Sequence, residues 1–211
     1  ERQILAQLDH PYIARLLDGG TLPGGAPYLV MELVEGERLS YYCETHDLGL
    51  AARLELMIKV CRAVQAAHRA LVVHRDLKPD NILVDSHGEP KLLDFGIAKV
   101  LDAVDGVQTR ADQRLLTPRY AAPEQFTGAA VTTATDIYAL GVILYELLAG
   151  QSPYPENTGD VLSLIRLVCE IEPDPPSRRR ALSTRTGSRL AGERLRGDLD
   201  AIVMKAMRKQ P

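Results

Sequence analysis

The stretch His74-Arg75-Asp76-Leu77-Lys78-Pro79-Asp80-Asn81 decides how the rest of the chain is interpreted. Within these eight positions it places a carboxylate at Asp76, an ammonium group at Lys78 and a carboxamide at Asn81. An isolated aspartate is more often a helix cap or a surface charge than a catalytic group. The interpretation therefore depends on what else the chain carries in a fixed order with this stretch.

Two shorter motifs follow, Asp94-Phe95-Gly96 and Ala122-Pro123-Glu124. An Asp-Phe-Gly triplet alone is a weak signal, because any turn can carry it. In this order and with the octapeptide, however, the motifs resemble the signature set of protein kinases: catalytic loop, metal-binding triplet and end of the activation loop. Phrases such as Ile82-Leu83-Val84 and Asp136-Ile137-Tyr138-Ala139-Leu140-Gly141 are most similar to bacterial receptor-type Ser/Thr kinases.

The resemblance implies transfer of the ATP γ-phosphoryl group to Ser or Thr hydroxyl groups of proteins, with Mg²⁺. Such transfer needs alignment and charge neutralisation more than covalent help. In the family pattern Asp76 accepts the proton of the attacking hydroxyl, and Lys78 directs its ammonium group at the transferred phosphate. Asn81 and Asp94 supply the hard oxygen ligands that Mg²⁺ prefers. The presence of Lys78 also indicates the Ser/Thr branch of the family.

The stretch Tyr28–Val34 resembles the strand that runs into the kinase hinge. The resemblance implies that Met31 is the gatekeeper residue beside the nucleotide. It also implies that the backbones of Glu32 and Val34 meet the adenine ring. Taken without the other motifs, the same stretch would fit a simple core strand equally well.

Further residues receive supporting roles from the same resemblance. Asp136 is expected to brace the backbone of the catalytic loop, and the hydroxyl of Thr117 is expected to bond Asp76 and Lys78. The packing residues expected to form the family's hydrophobic spine are Leu5, Leu16, His74 and Phe95.

Regulation by the activation loop is suggested by Arg75, which precedes the catalytic aspartate in kinases that are switched by phosphorylation. Thr109 is the candidate phosphoacceptor in this chain. Alternatively, Asp112 supplies a permanent negative charge to Arg75. Both residues would otherwise be solvated loop residues.

Hydrophobic periodicity and turn residues predict the elements around these motifs. On the long helix we expect one face to be buried. This face is formed by Leu54, Met57/Ile58, Cys61, Val64/Gln65 and His68. The predicted helices are Glu1–Leu8, Leu50–Ala70, Thr135–Ala149 and Asp198–Lys209. The predicted strands are Tyr12–Leu17, Tyr28–Leu33, Leu71–Val73, Ile82–Val84 and Lys91–Leu93. The predicted connections are a turn over Gly19–Pro27, a long loop over Ile97–Ala121 and a mobile segment over Glu172–Gly197.

The predicted fold class is α+β, a two-lobed protein-kinase-like fold with a mainly helical large lobe. Residues 1–31 would be a remnant of the small β-rich lobe, with the end of its helix and two strands; residues 32–37 would form the hinge, and residues 38–211 the large lobe. No Gly-x-Gly-x-x-Gly loop or Val-Ala-Ile-Lys strand is present, so we expect truncation at the start of the domain. The chain also stops at Gln210-Pro211, where the resemblance places the arginine that pairs with Glu124 just beyond, so we expect truncation at the other end as well. Glu124 would then lack its family arginine, and we expect this piece alone to be poorly stable and inactive.

Composition excludes several other classes of protein. The chain has 211 residues, of which 45% are hydrophobic and 25% charged, as is typical of globular domains rather than disordered or fibrous chains. A net charge of −3 gives no general attraction to nucleic acid or anionic membranes. No apolar run reaches the roughly 18 residues of a membrane span, and Ile137–Leu148 is expected to be a buried core helix.

The expected partners are a protein substrate with a Ser or Thr acceptor and a second copy of the kinase for trans-autophosphorylation, with ATP and Mg²⁺ as cofactors. Widely spaced cysteines (Cys43, Cys61 and Cys169) argue against disulfides or a zinc site and favour a reducing, cytoplasmic location. A pseudokinase or scaffold module remains an alternative, opposed by the intact catalytic motifs. A small-molecule kinase of related fold would usually carry His-Gly-Asp instead of His74-Arg75-Asp76 and would lack the Ala-Pro-Glu triplet.

Overall fold

The computed structural model describes residues 8–25, 27–94, 118–155, 160–181 and 195–210. Its described part combines two small antiparallel sheets with a larger set of helices, which confirms the predicted α+β class. The strands are β1 (Leu16–Thr21), β2 (Pro27–Met31), β3 (Glu37–Arg38), β4 (Ile82–Val84) and β5 (Pro90–Leu92). The helices are α1 (Leu39–Thr45), α2 (Leu50–Arg69), α3 (Pro123–Thr127), α4 (Thr133–Ala149), α5 (Val161–Glu170), α6 (Pro176–Ala181) and α7 (Asp198–Ala206), with a 3₁₀ turn at Pro79–Asn81.

Strands β1 and β2 pair as an antiparallel ribbon, but their bounds differ from the prediction. β1 begins four residues later than the expected strand Tyr12–Leu17 and continues through two glycines that were expected to open the turn. At Gly20 an added Cβ would lie 2.7 Å from the ring of Tyr28, its cross-strand partner. The glycine therefore leaves room for the tyrosine ring on the ribbon, and pairing extends to Thr21. β2 stops at Met31 and Leu33 is 87% exposed, so the expected strand Tyr28–Leu33 was too long.

The second sheet has the strand order β3-β4-β5, and its strands β3 and β4 contact the end of the octapeptide His74–Asn81. The 3₁₀ turn at its end leads directly into β4, whose bounds match the prediction, and β5 lies one residue earlier than expected. The predicted strand Leu71–Val73 was wrong: Leu71 follows the end of α2 with a φ of 61° and is 90% exposed. At Gly36 an added Cβ would lie 2.5 Å from the carbonyl oxygen of Val84, so glycine permits the chain to pass close to β4.

Helix α2 confirms the predicted helix, but its buried face was predicted in the wrong phase. Ile58 is 51% exposed and Cys61 is exposed. The predicted face left out the alanines. Ala63 and Ala67 are buried, so the true buried face is shifted by about one residue from the predicted one. The buried residues are Arg53, Leu56, Met57, Val60, Ala63, Val64 and Ala67.

Helix α4 is apolar on nearly all sides and lies between two groups of buried side chains. One face packs with α2 and strands β4 and β5 through Ala139, Ile143 and Leu147. The other face packs with α5 and α7 through residues that include Val142 and Leu148. No helix among the described residues is long and apolar enough to cross a membrane.

Helices α1, α3, α5 and α6 were not predicted, because short helices carry too few periodic positions to be recognised. α6 lies inside Glu172–Gly197, which was expected to be a mobile connection, so that prediction was wrong for residues 176–181. Asp160 caps α5 by accepting a hydrogen bond from the backbone nitrogen of Ser163 at 2.6 Å. α7 ends at Ala206, three residues before the predicted end.

Arg53 links three backbone segments inside the helical part. Its guanidinium group donates hydrogen bonds to the carbonyl oxygens of Leu48 at 2.8 Å, Leu147 at 2.9 Å and Cys43 at 3.3 Å. The residue is 8% exposed, so these carbonyl groups have little access to water.

We expect Arg53→Met to lower the free energy of unfolding by about 2–4 kcal/mol, because buried acceptors would lose their donor. Urea unfolding of the full-length protein measures this change. Arg62→Met, an exposed position on the same helix, should change the same quantity by no more than about 0.5 kcal/mol. Equal effects of the two substitutions would contradict the assigned role of Arg53.

Candidate active site

Residues 74–81, which the sequence predicts to be the catalytic loop, are held by hydrogen bonds to the carboxylate of Asp136 in the first turn of α4. Asp136 is 1% exposed. Its Oδ2 accepts hydrogen bonds from the backbone nitrogen of His74 at 2.8 Å and from Nε2 of His68 at 2.7 Å. Its Oδ1 accepts a hydrogen bond from the backbone nitrogen of Arg75 at 2.9 Å. The predicted bracing of the loop by Asp136 is therefore present in the geometry.

His74 is fully buried and connects the loop to the end of β5. Its Nε2 donates to the carbonyl oxygen of Leu93 at 2.8 Å, and its Nδ1 accepts from the backbone nitrogen of Asp76 at 3.3 Å. Burial lowers the pKa of His74, and the nearby Asp136 carboxylate only partly opposes this effect. The imidazole is therefore neutral at physiological pH, with its proton on Nε2.

Asp76, Lys78 and Asn81, three of the predicted site residues, lie together. The ammonium nitrogen of Lys78 is 3.1 Å from Oδ2 of Asp76, and both side chains are mostly buried. Nδ2 of Asn81 donates to the backbone carbonyl of Asp76 at 2.9 Å and lies 3.5 Å from its Oδ2. With its amide nitrogen turned toward Asp76, Asn81 directs its carbonyl oxygen to the opposite side.

Asp94 follows β5 and is brought next to Asn81 by the main chain. The backbone nitrogen of Leu93 donates to the backbone carbonyl of Asn81 at 2.8 Å. Asp94 itself is exposed and has a φ of 42°, which turns it away from the strand direction. No group of three or more His, Cys, Asp or Glu side chains able to hold a metal occurs among the described residues. Amide and carboxylate oxygens are ligand types that Mg²⁺ accepts together with phosphate oxygens, so Asn81 and Asp94 could hold the ion.

The predicted hinge residues Glu32 and Val34 lie where β2 has ended. The backbone nitrogen of Glu32 donates to the carbonyl of Arg15 at 2.9 Å, and its carboxylate pairs with Lys91 on β5 at 2.6 Å. Val34 is partly buried, two residues further along. Glu32, in the predicted hinge, is thus tied to β5, the strand that precedes Asp94, through an ion pair that the sequence alone did not indicate.

For three residues the sequence did not predict a contact with this region. Lys91 pairs with Glu32, His68 donates to Asp136, and Gln125 donates from Nε2 to the backbone carbonyl of Arg75 at 2.9 Å. A usable signal existed only for Gln125, which directly follows Ala122-Pro123-Glu124.

Glu124 is 8% exposed and accepts a hydrogen bond from the hydroxyl of Thr135 at 2.6 Å. Its carboxylate therefore has a polar partner on α4, a contact that the sequence did not predict. Arg75 Nε is buried without a hydrogen-bond partner among the described residues.

Several predictions lie outside the described residues. They concern the helix Glu1–Leu8, most of the loop Ile97–Ala121, and the residues Leu5, Phe95, Gly96, Thr109, Asp112 and Thr117.

Comparison with known proteins gives the family. The sequence matches the model for the protein kinase domain over residues 1–186. The chain belongs to the protein kinase family. It is 37% identical over 216 residues to the serine/threonine-protein kinase PknB of Mycolicibacterium smegmatis, an alignment that covers 100% of this chain and 32% of that protein. The PknB of Mycobacterium tuberculosis is 35% identical over the same coverage.

A second relative, the serine/threonine-protein kinase PknA of Mycobacterium tuberculosis, is 41% identical over 181 residues, covering 83% of this chain and 41% of PknA. The chain thus spans about a third of the length of PknB. The resemblance to bacterial Ser/Thr kinases inferred from the motifs is confirmed, and use of ATP and Mg²⁺ is general in this family.

We expect His74 to make the folded state sensitive to acid. Because its pKa is lowered in the folded protein, the unfolded chain binds more protons below about pH 6.5, the ordinary histidine pKa. The free energy of unfolding therefore has its full value above this pH. At lower pH it decreases, by up to about 1.4 kcal/mol per pH unit. Urea unfolding at about pH 7.5 and about pH 5 should show a smaller loss for His74→Phe than for the wild type. The exposed control His87→Gln should keep the wild-type loss, and an unchanged loss in His74→Phe would contradict the assignment.

Proposed function

We propose that this chain transfers the γ-phosphoryl group of ATP to Ser or Thr hydroxyl groups of proteins. The single observation that carries the proposal is the cluster of Asp76, Lys78 and Asn81, with Asp76 and Lys78 3.1 Å apart. The names of the relatives PknB and PknA, both serine/threonine-protein kinases, support the substrate class. Protein substrates also follow from membership of the family.

Asp76 is the proposed acceptor of the proton from the attacking hydroxyl. Its Oδ2 lies 3.1 Å from the ammonium nitrogen of Lys78 and 3.5 Å from Nδ2 of Asn81, and these contacts orient the carboxylate. Lys78 is the proposed cation for the transferred phosphate. It can move from Asp76 to phosphate oxygen because its stem is flexible and its ammonium group is a compact charge.

Asn81 and Asp94 are the proposed ligands of Mg²⁺. When bound, the ion neutralises charge on the phosphate oxygens of ATP. Asn81 contributes an amide oxygen whose direction is set by the bond from its nitrogen to the Asp76 carbonyl. Asp94 contributes a carboxylate at the exposed end of β5, where a nucleotide can reach it.

Glu32 and Val34 are the proposed adenine contacts, through their backbones. Support comes from the side chain of Glu32, which is engaged by Lys91 and so turned to the sheet. Residues 1–31 are proposed to belong to the small lobe, 32–37 to the hinge and 38–211 to the large lobe. We also propose a cytoplasmic kinase domain and transient pairing with a second copy for trans-autophosphorylation.

We expect Asp76→Asn to lower kcat for phosphorylation of a protein substrate by about 10²- to 10⁴-fold, because the base is lost while shape is kept. The measurement is transfer of radiolabelled phosphate by the full-length protein, together with binding of a non-hydrolysable ATP analogue. Binding should change little. Asp18→Asn, an exposed position on β1, should retain full activity. A wild-type protein that binds ATP without transferring phosphate would favour a scaffold function instead.

Asp94→Asn should raise the Mg²⁺ concentration needed for half-maximal activity roughly tenfold or more, since one charged ligand becomes neutral. Titration of activity with Mg²⁺ after removal of metal by a chelator measures this. Excess Mg²⁺ should restore part of the activity in Asp94→Asn. The same titration midpoint in Asp94→Asn and Asp18→Asn would argue against Asp94 as a ligand.

A further inference from the structure

Arg75, the residue before Asp76, has an uncommon backbone conformation. Arg75 has a φ of 68°, in the left-handed region that residues other than glycine seldom adopt. Such conformations persist where surrounding contacts hold them, and they occur often at functional sites. One of these contacts is the bond from the Arg75 backbone nitrogen to Asp136.

A second contact comes from Gln125 in α3, fifty residues further along the chain. Nε2 of Gln125 donates to the Arg75 carbonyl at 2.9 Å, and Oε1 accepts from the backbone nitrogen of Ala122 at 3.0 Å. Because one end faces an acceptor and the other a donor, only one orientation of this amide satisfies both bonds. The side chain is therefore fixed between the start of α3 and the catalytic loop.

Together these bonds fix the peptide group between Arg75 and Asp76. Its carbonyl oxygen is held by Gln125, and its nitrogen donates to Nδ1 of His74 at 3.3 Å. The next carbonyl, that of Asp76 itself, is held by Asn81. The plane of the Arg75–Asp76 peptide is thus determined at both polar atoms, and it sets the direction in which the Asp76 side chain leaves the loop.

We propose that Gln125 is a positioning residue for phosphoryl transfer, which orients Asp76 by holding the carbonyl of Arg75. The proposal rests on the proposed function, and it makes helix α3, which begins within Ala122-Pro123-Glu124, part of the catalytic geometry. A displacement of about 1 Å at a reacting group can lower a rate about 100-fold. The loss of this bond should therefore reduce turnover more than nucleotide binding.

Gln125→Glu tests the donor specifically. The new carboxylate keeps the shape and the bond from Ala122, but it presents an acceptor to the Arg75 carbonyl, and two acceptors repel. At lower pH the carboxyl group binds a proton and can donate to the carbonyl again. Burial and the facing carbonyl both favour that protonated form.

The matched control is Gln151→Glu. Gln151 is exposed and its Nε2 also donates to a backbone carbonyl, that of Arg179, at 3.1 Å. The same chemical change is thus made outside the residues that surround Asp76.

The experiment is steady-state phosphorylation of a protein substrate by the full-length protein between about pH 5.5 and about pH 8. We expect kcat of Gln125→Glu to be about 10- to 100-fold below wild type at the upper pH, with KM for ATP within about twofold. The ratio of its kcat to that of the wild type should rise as pH falls. Gln151→Glu should match the wild type at every pH.

A second variant tests whether the recovery at low pH depends on the carboxyl group. Gln125→Met, which removes both bonds without adding a charge, should show the loss of kcat without its recovery at low pH. If Gln125→Glu and Gln125→Met both keep wild-type kcat, or if the loss is independent of pH in Gln125→Glu, the role of Gln125 is overturned. A wild-type protein that transfers no phosphate would instead overturn the proposed function.

Discussion

The arrangement of the site depends on one buried carboxylate, that of Asp136. Burial of a charged group costs several kcal/mol unless hydrogen bonds offset it. Here three donors do so: the backbone nitrogens of His74 and Arg75 and the ring of His68. The carboxylate also lies in the first turn of α4, where the helix dipole favours negative charge. Because α4 packs on both faces, the core of the molecule fixes the catalytic loop in space.

The site is rigid in one part and open in another. Asp76 and Asn81 are joined to each other, and the backbone around Asp76 is bonded on both sides. Asp94, by contrast, is exposed just beyond the end of β5, the strand whose Lys91 pairs with Glu32. The hydrogen-bonded part of the site around Asp76 is therefore constrained, whereas the carboxylate of Asp94 is open to solvent.

The sequence predicted which residues of the octapeptide lie together better than it predicted the packing of the helices. Asp76, Lys78 and Asn81 were found because the motif places them within a few residues, and local spacing survives in the folded structure. Long helices and β4 were found from periodicity. The phase of α2 was missed because the buried stripe uses alanines, and Gln125 was missed because its partner lies fifty residues away. Such partners depend on how elements are brought together, which a single sequence does not specify.

The distance along the chain between the loop and Asp136 has a consequence during synthesis. The carboxylate that accepts the hydrogen bond from the backbone nitrogen of His74 belongs to Asp136, which is synthesised 62 residues later. At translation rates of about 5–20 residues per second, that delay is about 3–12 s. During that time the newly synthesised octapeptide lacks the Asp136 carboxylate that holds its backbone in the folded protein. All residues of the loop are therefore synthesised before Asp136, and we expect the loop to reach its folded arrangement only after α4 has emerged from the ribosome and packed.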